Sequence, residues 1–149
     1  MKIDFDAIGL VHTREPVEVV RSFIRRCWYF SARDQAKAPH SVFEEFAPPI
    51  IGHLIKTQPV VALVSKSDEK ICHAWACGSP SLDGRPPVLH WAYTPKDLRR
   101  KGLAAVCIAA ALGEYPSVIY TTFRFAPFDG NVRYRYNRFV LGRYADEGC

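Results

Sequence analysis

Residues 89–104 read Leu89-His90-Trp91-Ala92-Tyr93-Thr94-Pro95-Lys96-Asp97-Leu98-Arg99-Arg100-Lys101-Gly102-Leu103-Ala104, and this stretch decides the fold. From Val88 to Thr94 the residues Leu89, Trp91 and Tyr93 alternate with Val88, His90 and Ala92, the period of a strand. From Gly102 to Leu112 the chain is alanine-rich, with Leu103, Val106, Cys107 and Ala110 on one helical face, and Gly113 stands at the expected stop. A strand therefore passes through a basic turn into a helix. Several N–H groups at a helix start lack partners and the dipole is positive there, so an anion such as phosphate can be cradled by main chain. Gly102 lets the backbone approach, small Ala104 avoids a clash, and Arg99, Arg100 and Lys101 add charge.

Upstream, Ile8 to Val11 reads as a short opening strand. Pro16 to Tyr29 reads as a helix, because Val17, Val20, Phe23, Ile24, Cys27 and Trp28 recur at helical spacing and Pro16 suits a first turn. Its other face carries Arg21, Arg25 and Arg26, expected as solvated surface. Ser41 and Glu44 have capping-box spacing at the start of a second helical region, and Pro48-Pro49 should break that region into two short helices, the second spanning Ile50 to Lys56. Pro59 to Ser65 and Ile71 to Cys77 read as a hairpin about the polar turn Ser67 to Lys70, and Gly78 to Pro87 as a loop. Downstream, Val118 to Phe123 is a strand. Arginine alternating with tyrosine makes the segment around Tyr134 a strand as well.

The 149 residues, 48% of them hydrophobic, suit one independently folding domain, 1–149. No apolar run reaches a membrane-spanning length of roughly 18 residues, and the N-terminus Met1-Lys2-Ile3-Asp4-Phe5-Asp6 is too acidic for a secretory signal, so a cytoplasmic protein is expected. Cys27, Cys72, Cys77, Cys107 and Cys149 are odd in number and lack C-x-x-C spacing, which argues against a disulfide framework. Cys72 and Cys77, five apart on a strand, should face opposite ways, so no metal site is expected. The net charge of +5 favours an anionic partner. Between Arg124 and Arg143 five arginines face one acid, Asp129, among interleaved aromatics, so residues 124–143 are the candidate nucleic-acid contact, through phosphates and base stacking. The alternative is a basic sheet edge that discourages aggregation. A homodimer is left open.

Arg99-x-x-Gly102-x-Ala104 resembles the R/Q-x-x-G-x-G/A signature of the GNAT superfamily of N-acetyltransferases. The order strand, two helical segments, hairpin, third strand, signature, helix, strand is similar to that superfamily over residues 8–123. Tyr93 to Ala104, Ala74-Trp75-Ala76-Cys77 and Tyr136-Asn137 also resemble small acetyltransferase-like proteins of bacteriophages, which would put the protein in a host cytoplasm. The resemblance implies an α/β (α+β) fold, GNAT-like, with a mixed, mostly antiparallel central sheet flanked by helices. It implies acetyl-CoA as cosubstrate, with the pantetheine arm paired along Ala92, Tyr93 and Thr94. The pyrophosphate would be wrapped by Arg99, Arg100, Lys101, Gly102, Leu103 and Ala104, and a main-chain N–H near Tyr93 would polarise the acetyl carbonyl. Members of the superfamily often place a glutamate or water chain as base on the central strands and a tyrosine as acid after the fifth strand. Here Val88 to Thr94 holds no acid, which leaves His90, with an ordinary pKa near 6.5, as candidate base. Tyr134 is the candidate acid, with Tyr120 and Tyr136 as other tyrosines able to donate; packing roles compete for each of these side chains.

The activity so implied is transfer of an acetyl group from acetyl-CoA to a primary amine, with the acceptor unidentified. The competing function is a catalytically silent domain of the same fold that binds nucleic acid or protein as an accessory factor.

Overall fold

The computed structural model of the chain describes residues 9–35, 39–81, 85–95, 102–113, 118–120 and 134–136. In chain order these form β1 (Leu10–Thr13), α1 (Glu18–Gln35), α2 (His40–Thr57), β2 (Val60–Ser65), β3 (Cys72–Ser79), β4 (Val88–Tyr93), α3 (Leu103–Leu112), β5 (Val118–Tyr120) and β6 (Tyr134–Tyr136). The six strands make one sheet in the order β1-β2-β3-β4-β5-β6. Neighbours from β1 to β4 are antiparallel, while β4–β5 and β5–β6 are parallel. The protein is a mixed α/β structure with a mostly antiparallel sheet between helical layers, in the element order that the sequence pattern predicts.

Each layer follows from apolar spacing. On α1, Val20, Ile24, Trp28 and Ala32 recur every fourth residue and are buried, as are Phe43, Ala47, Ile51, Leu54 and Ile55 on α2. They cover one sheet face at Val60, Ala62, Val64, Trp75, Cys77 and Trp91. The Trp28 and Trp75 rings lie with centroids 5.7 Å apart, and Trp91 Nε1 donates to Ser31 Oγ at 2.8 Å, tying β4 to α1. The opposite face, with Val61, Leu63, Ala74, Ala76 and Leu89, packs against Leu103, Cys107, Ile108, Ala111 and Leu112 of α3. Because both faces are covered, Val60 to Val64 are buried without a break rather than alternately.

Several expectations change. The first helix runs on to Gln35, since Ala32 extends its buried stripe by one more turn. The second is one continuous helix through Pro48 and Pro49. Both prolines are exposed, as are Glu44 and Glu45 four residues back, so the carbonyls they leave without ladder donors face water, and the uninterrupted buried stripe outweighs the break. This helix begins at His40 after Pro39, which puts Ser41 inside the first turn and not at the cap; Glu44 pairs with Arg33 at 3.3 Å instead. Finally, Gly78 and Ser79 belong to β3 and not to the following loop.

The sheet also carries two register shifts. Leu63 pairs with Ala74 and Val64 with Cys72, which makes His73 the extra residue of its strand. Cys77 pairs with Trp91 and Gly78 with Leu89, which makes His90 the extra residue of β4. An insertion of this kind is a β-bulge, which reverses the side-chain phase beyond it. Cys72 and Cys77 consequently pack toward the same helical layer, against the expectation from their spacing. Leu89 and Ala92 pack toward α3, whereas Trp91 and Tyr93 pack toward α1 and α2, so Leu89, Trp91 and Tyr93 do not share a face.

Candidate functional site

β4 and β5 run parallel with α3 as the connection between them, so the carboxyl end of β4 and the amino end of α3 lie at the same end of the sheet. Gly102 precedes α3 at φ 75 and ψ 13, a left-handed conformation that side-chain-bearing residues adopt only with strain. The helical ladder starts with Val106 N donating to Gly102 O at 3.1 Å. The N–H groups of Leu103, Ala104 and Ala105 thus have no acceptor within the helix, and its first turn holds no acid. Gly102 is exposed and Ala104 half-buried, while Leu103 turns into the α3-side core. A helix end of this kind can take an oxyanion on main-chain donors.

On the strand side, Ala92 and Tyr93 are half-buried and Thr94 is buried. Arg99, Arg100 and Lys101 lie outside the described residues, as does residue 121 onward of the fifth strand expected to Phe123. The described β4–β5 ladder comprises Val88 with Ile119 and Leu89 with Tyr120.

His90 sits at that bulge with 1% of its surface exposed. Its Nε2 lies 3.3 Å from Ser79 Oγ, and Ser79 Oγ donates to Gln58 Oε1 at 2.5 Å. Burial alone pushes its imidazole down to about 3 from the ordinary 6.5. Tyr134 pairs with Val118, at the start of the parallel trio, whereas Tyr93 lies at the other end of β4. The six residues from Val88 to Tyr93 span roughly 16 Å of strand, so the backbone does not bring Tyr134 to the end of β4.

Ser79 and Gln58 escape a reading of the sequence, because the first falls in an apparent loop and the second just after a helix. Gly78 was the available signal, since glycine ending an apolar strand run marks a bulge or a close approach. A Cβ there would stand 2.7 Å from both Val88 O and Leu112 Cδ2.

Among the described residues no three His, Cys, Asp or Glu side chains cluster to hold a metal. Cys77 and Cys107 are buried and Cys72 is half-buried, and burial raises Cys72 and Cys107 to about 12 and Cys77 further. No described helix is long and apolar enough to cross a membrane.

No protein-family model matches the chain, and no curated protein matches it. Among solved structures it is similar to a "Putative acetyl transferase from Pyrococcus furiosus", with a TM-score of 0.48 and 12% identity over 68% of this chain and 72% of that one. A likeness of this size assigns no activity.

Proposed function

We propose that the chain is an acyltransferase of the GNAT type that takes acetyl-CoA, with the pyrophosphate on the amino end of α3 and the thioester along Ala92 to Thr94. The observation that carries this reading is Gly102: the signature's glycine occupies a left-handed cap opening an acid-free helix at the carboxyl end of a parallel strand. Arg99, Arg100 and Lys101 supply the charge this arrangement asks for. In the reaction an amine nitrogen bonds to the thioester carbon, the carbon–sulfur bond breaks, and the proton lost by the amine goes to solvent as the thiolate takes one up. Main-chain N–H groups can stabilise the oxyanion without reorganising.

Saturating acetyl-CoA should stabilise the fold by about 2.7 kcal/mol at 100-fold over its Kd, read as a rise in Tm. Gly102→Glu should remove that rise, since it puts bulk and negative charge at the phosphates. No shift at millimolar acetyl-CoA defeats the reading.

One observation favours the silent alternative: β4 holds no carboxylate, and an imidazole depressed to about 3 is a weak proton acceptor. Thiol release from acetyl-CoA with a supplied amine separates the two, through a water relay if it occurs. The candidate polyanion segment 124–143 lies outside the described residues except for Tyr134–Tyr136. Binding of short oligonucleotides that weakens steeply with salt would assign it to nucleic acid.

A further inference from the structure

The two bulge histidines are held in the same way. Ser65, the last residue of β2, lies 2.9 Å through Oγ from His73 Nε2, and Ser79, the last residue of β3, lies 3.3 Å through Oγ from His90 Nε2. Only the second serine is itself directed onward, because its single hydroxyl proton goes to Gln58 Oε1, at the C-cap of α2. With that proton committed, Ser79 Oγ is left to accept from His90, an arrangement that calls for the ring hydrogen on Nε2 and leaves Nδ1 as the acceptor nitrogen. The chain Gln58–Ser79–His90 thereby joins the end of α2 to the bulge residue of β4, the one that immediately precedes Trp91 to Tyr93.

We propose that Gln58, Ser79 and His90 form a positioning device for the end of β4, in which His90 works as a fixed, neutral Nε2–H donor and not as the proton acceptor of the reaction. This rests on the acetyl-CoA reading for what is positioned. Burial of the ring, which depresses its basicity, agrees with it. Ser79 and Gln58 act through His90, and none of the three need touch the ligand.

The test uses the intact chain labelled with 15N-histidine. Long-range 15N–1H spectra at pH 7 and pH 5 should give His90 the Nε2–H pattern at both, and Ser79→Ala should abolish that preference. Isothermal titration below the melting range of each variant should show acetyl-CoA binding weakened about tenfold by Ser79→Ala, the scale of one buried hydrogen bond. Ser79→Thr, which keeps the hydroxyl, should restore affinity and tautomer together, and it covers the case in which Ser79→Ala folds poorly. An Nδ1–H pattern, or titration of His90 near 6.5, overturns the proposal. So does unchanged affinity in a folded Ser79→Ala chain when the unmodified chain binds. An unmodified chain that fails to bind acetyl-CoA defeats the functional reading itself, a result distinct from either.

Discussion

The bulges at His73 and His90 share one local design and sit in different surroundings. Each places an extra histidine opposite a strand ending in serine, with the hydroxyl at the ring Nε2. His73 is half-buried beside the polar turn after Ser65, where water can replace what the serine supplies. His90 is enclosed between the sheet and the C-terminal end of α2, where any lost partner stays lost. The same hydrogen bond is therefore weak ornament at one site and a constraint at the other, because the worth of a polar contact is set by the penalty for leaving it unmade.

Truncation should break this parallel most strongly. His90→Ala removes a buried ring and the donor to Ser79 Oγ, and should destabilise by about 2–4 kcal/mol in urea unfolding, whereas His73→Ala should fall under about 1 kcal/mol. Equal losses would mean that burial does not distinguish the two bulges.

Next in size is Gly78→Ala, whose new methyl meets a backbone oxygen and a leucine methyl at 2.7 Å. Overpacking of this kind should cost about 1–3 kcal/mol. It should also move α3 relative to β4, so the Tm rise with acetyl-CoA should shrink along with stability; an unaltered rise would detach α3 from the proposed site.

The most gradual effect is a slope. His90 has a folded pKa of about 3 against 6.5 unfolded, so the unfolded chain takes up a proton below pH 6.5 that the folded chain refuses until about pH 3. The stability His90 contributes is thus complete above pH 6.5 and lost as pH falls through that window. Relative to His90→Gln, which cannot titrate there, the unmodified chain should lose about 1.4 kcal/mol per pH unit between pH 6 and pH 4, measured as the difference in unfolding free energy. A flat difference would show that the ring protonates inside the fold.

Element types were legible wherever periodicity ran long: α1 from Val20, Ile24 and Trp28, β2 from its valines, and α3 from its alanines ending at Gly113. The strand over Tyr134–Tyr136 was legible from aromatic alternation. Side-chain facing across β3 and β4 was not, because a bulge is a property of two paired strands and leaves no mark in the spacing of either one. The continuity of α2 was hidden for a related reason: Pro48 and Pro49 lower helix propensity locally, while the stripe that overrides them is rewarded only by a sheet and helix elsewhere in the chain. At the site, Gly102 stood out through its motif, whereas the Gln58–Ser79–His90 chain joins residues 21 and 11 positions apart and could be seen only in three dimensions.

The unbroken strand order β1 to β6 also bears on how the chain is made. Every described strand lies beside its predecessor in sequence, so a chain emerging from the ribosome finds the template for the next of these strands already built. The hairpin of β2 and β3 closes over a short turn and can form early, with α1 and α2 already synthesised to cover it. α3 and the parallel pairings come last, so an interrupted synthesis would yield the aromatic half of the core before any of the proposed ligand site exists.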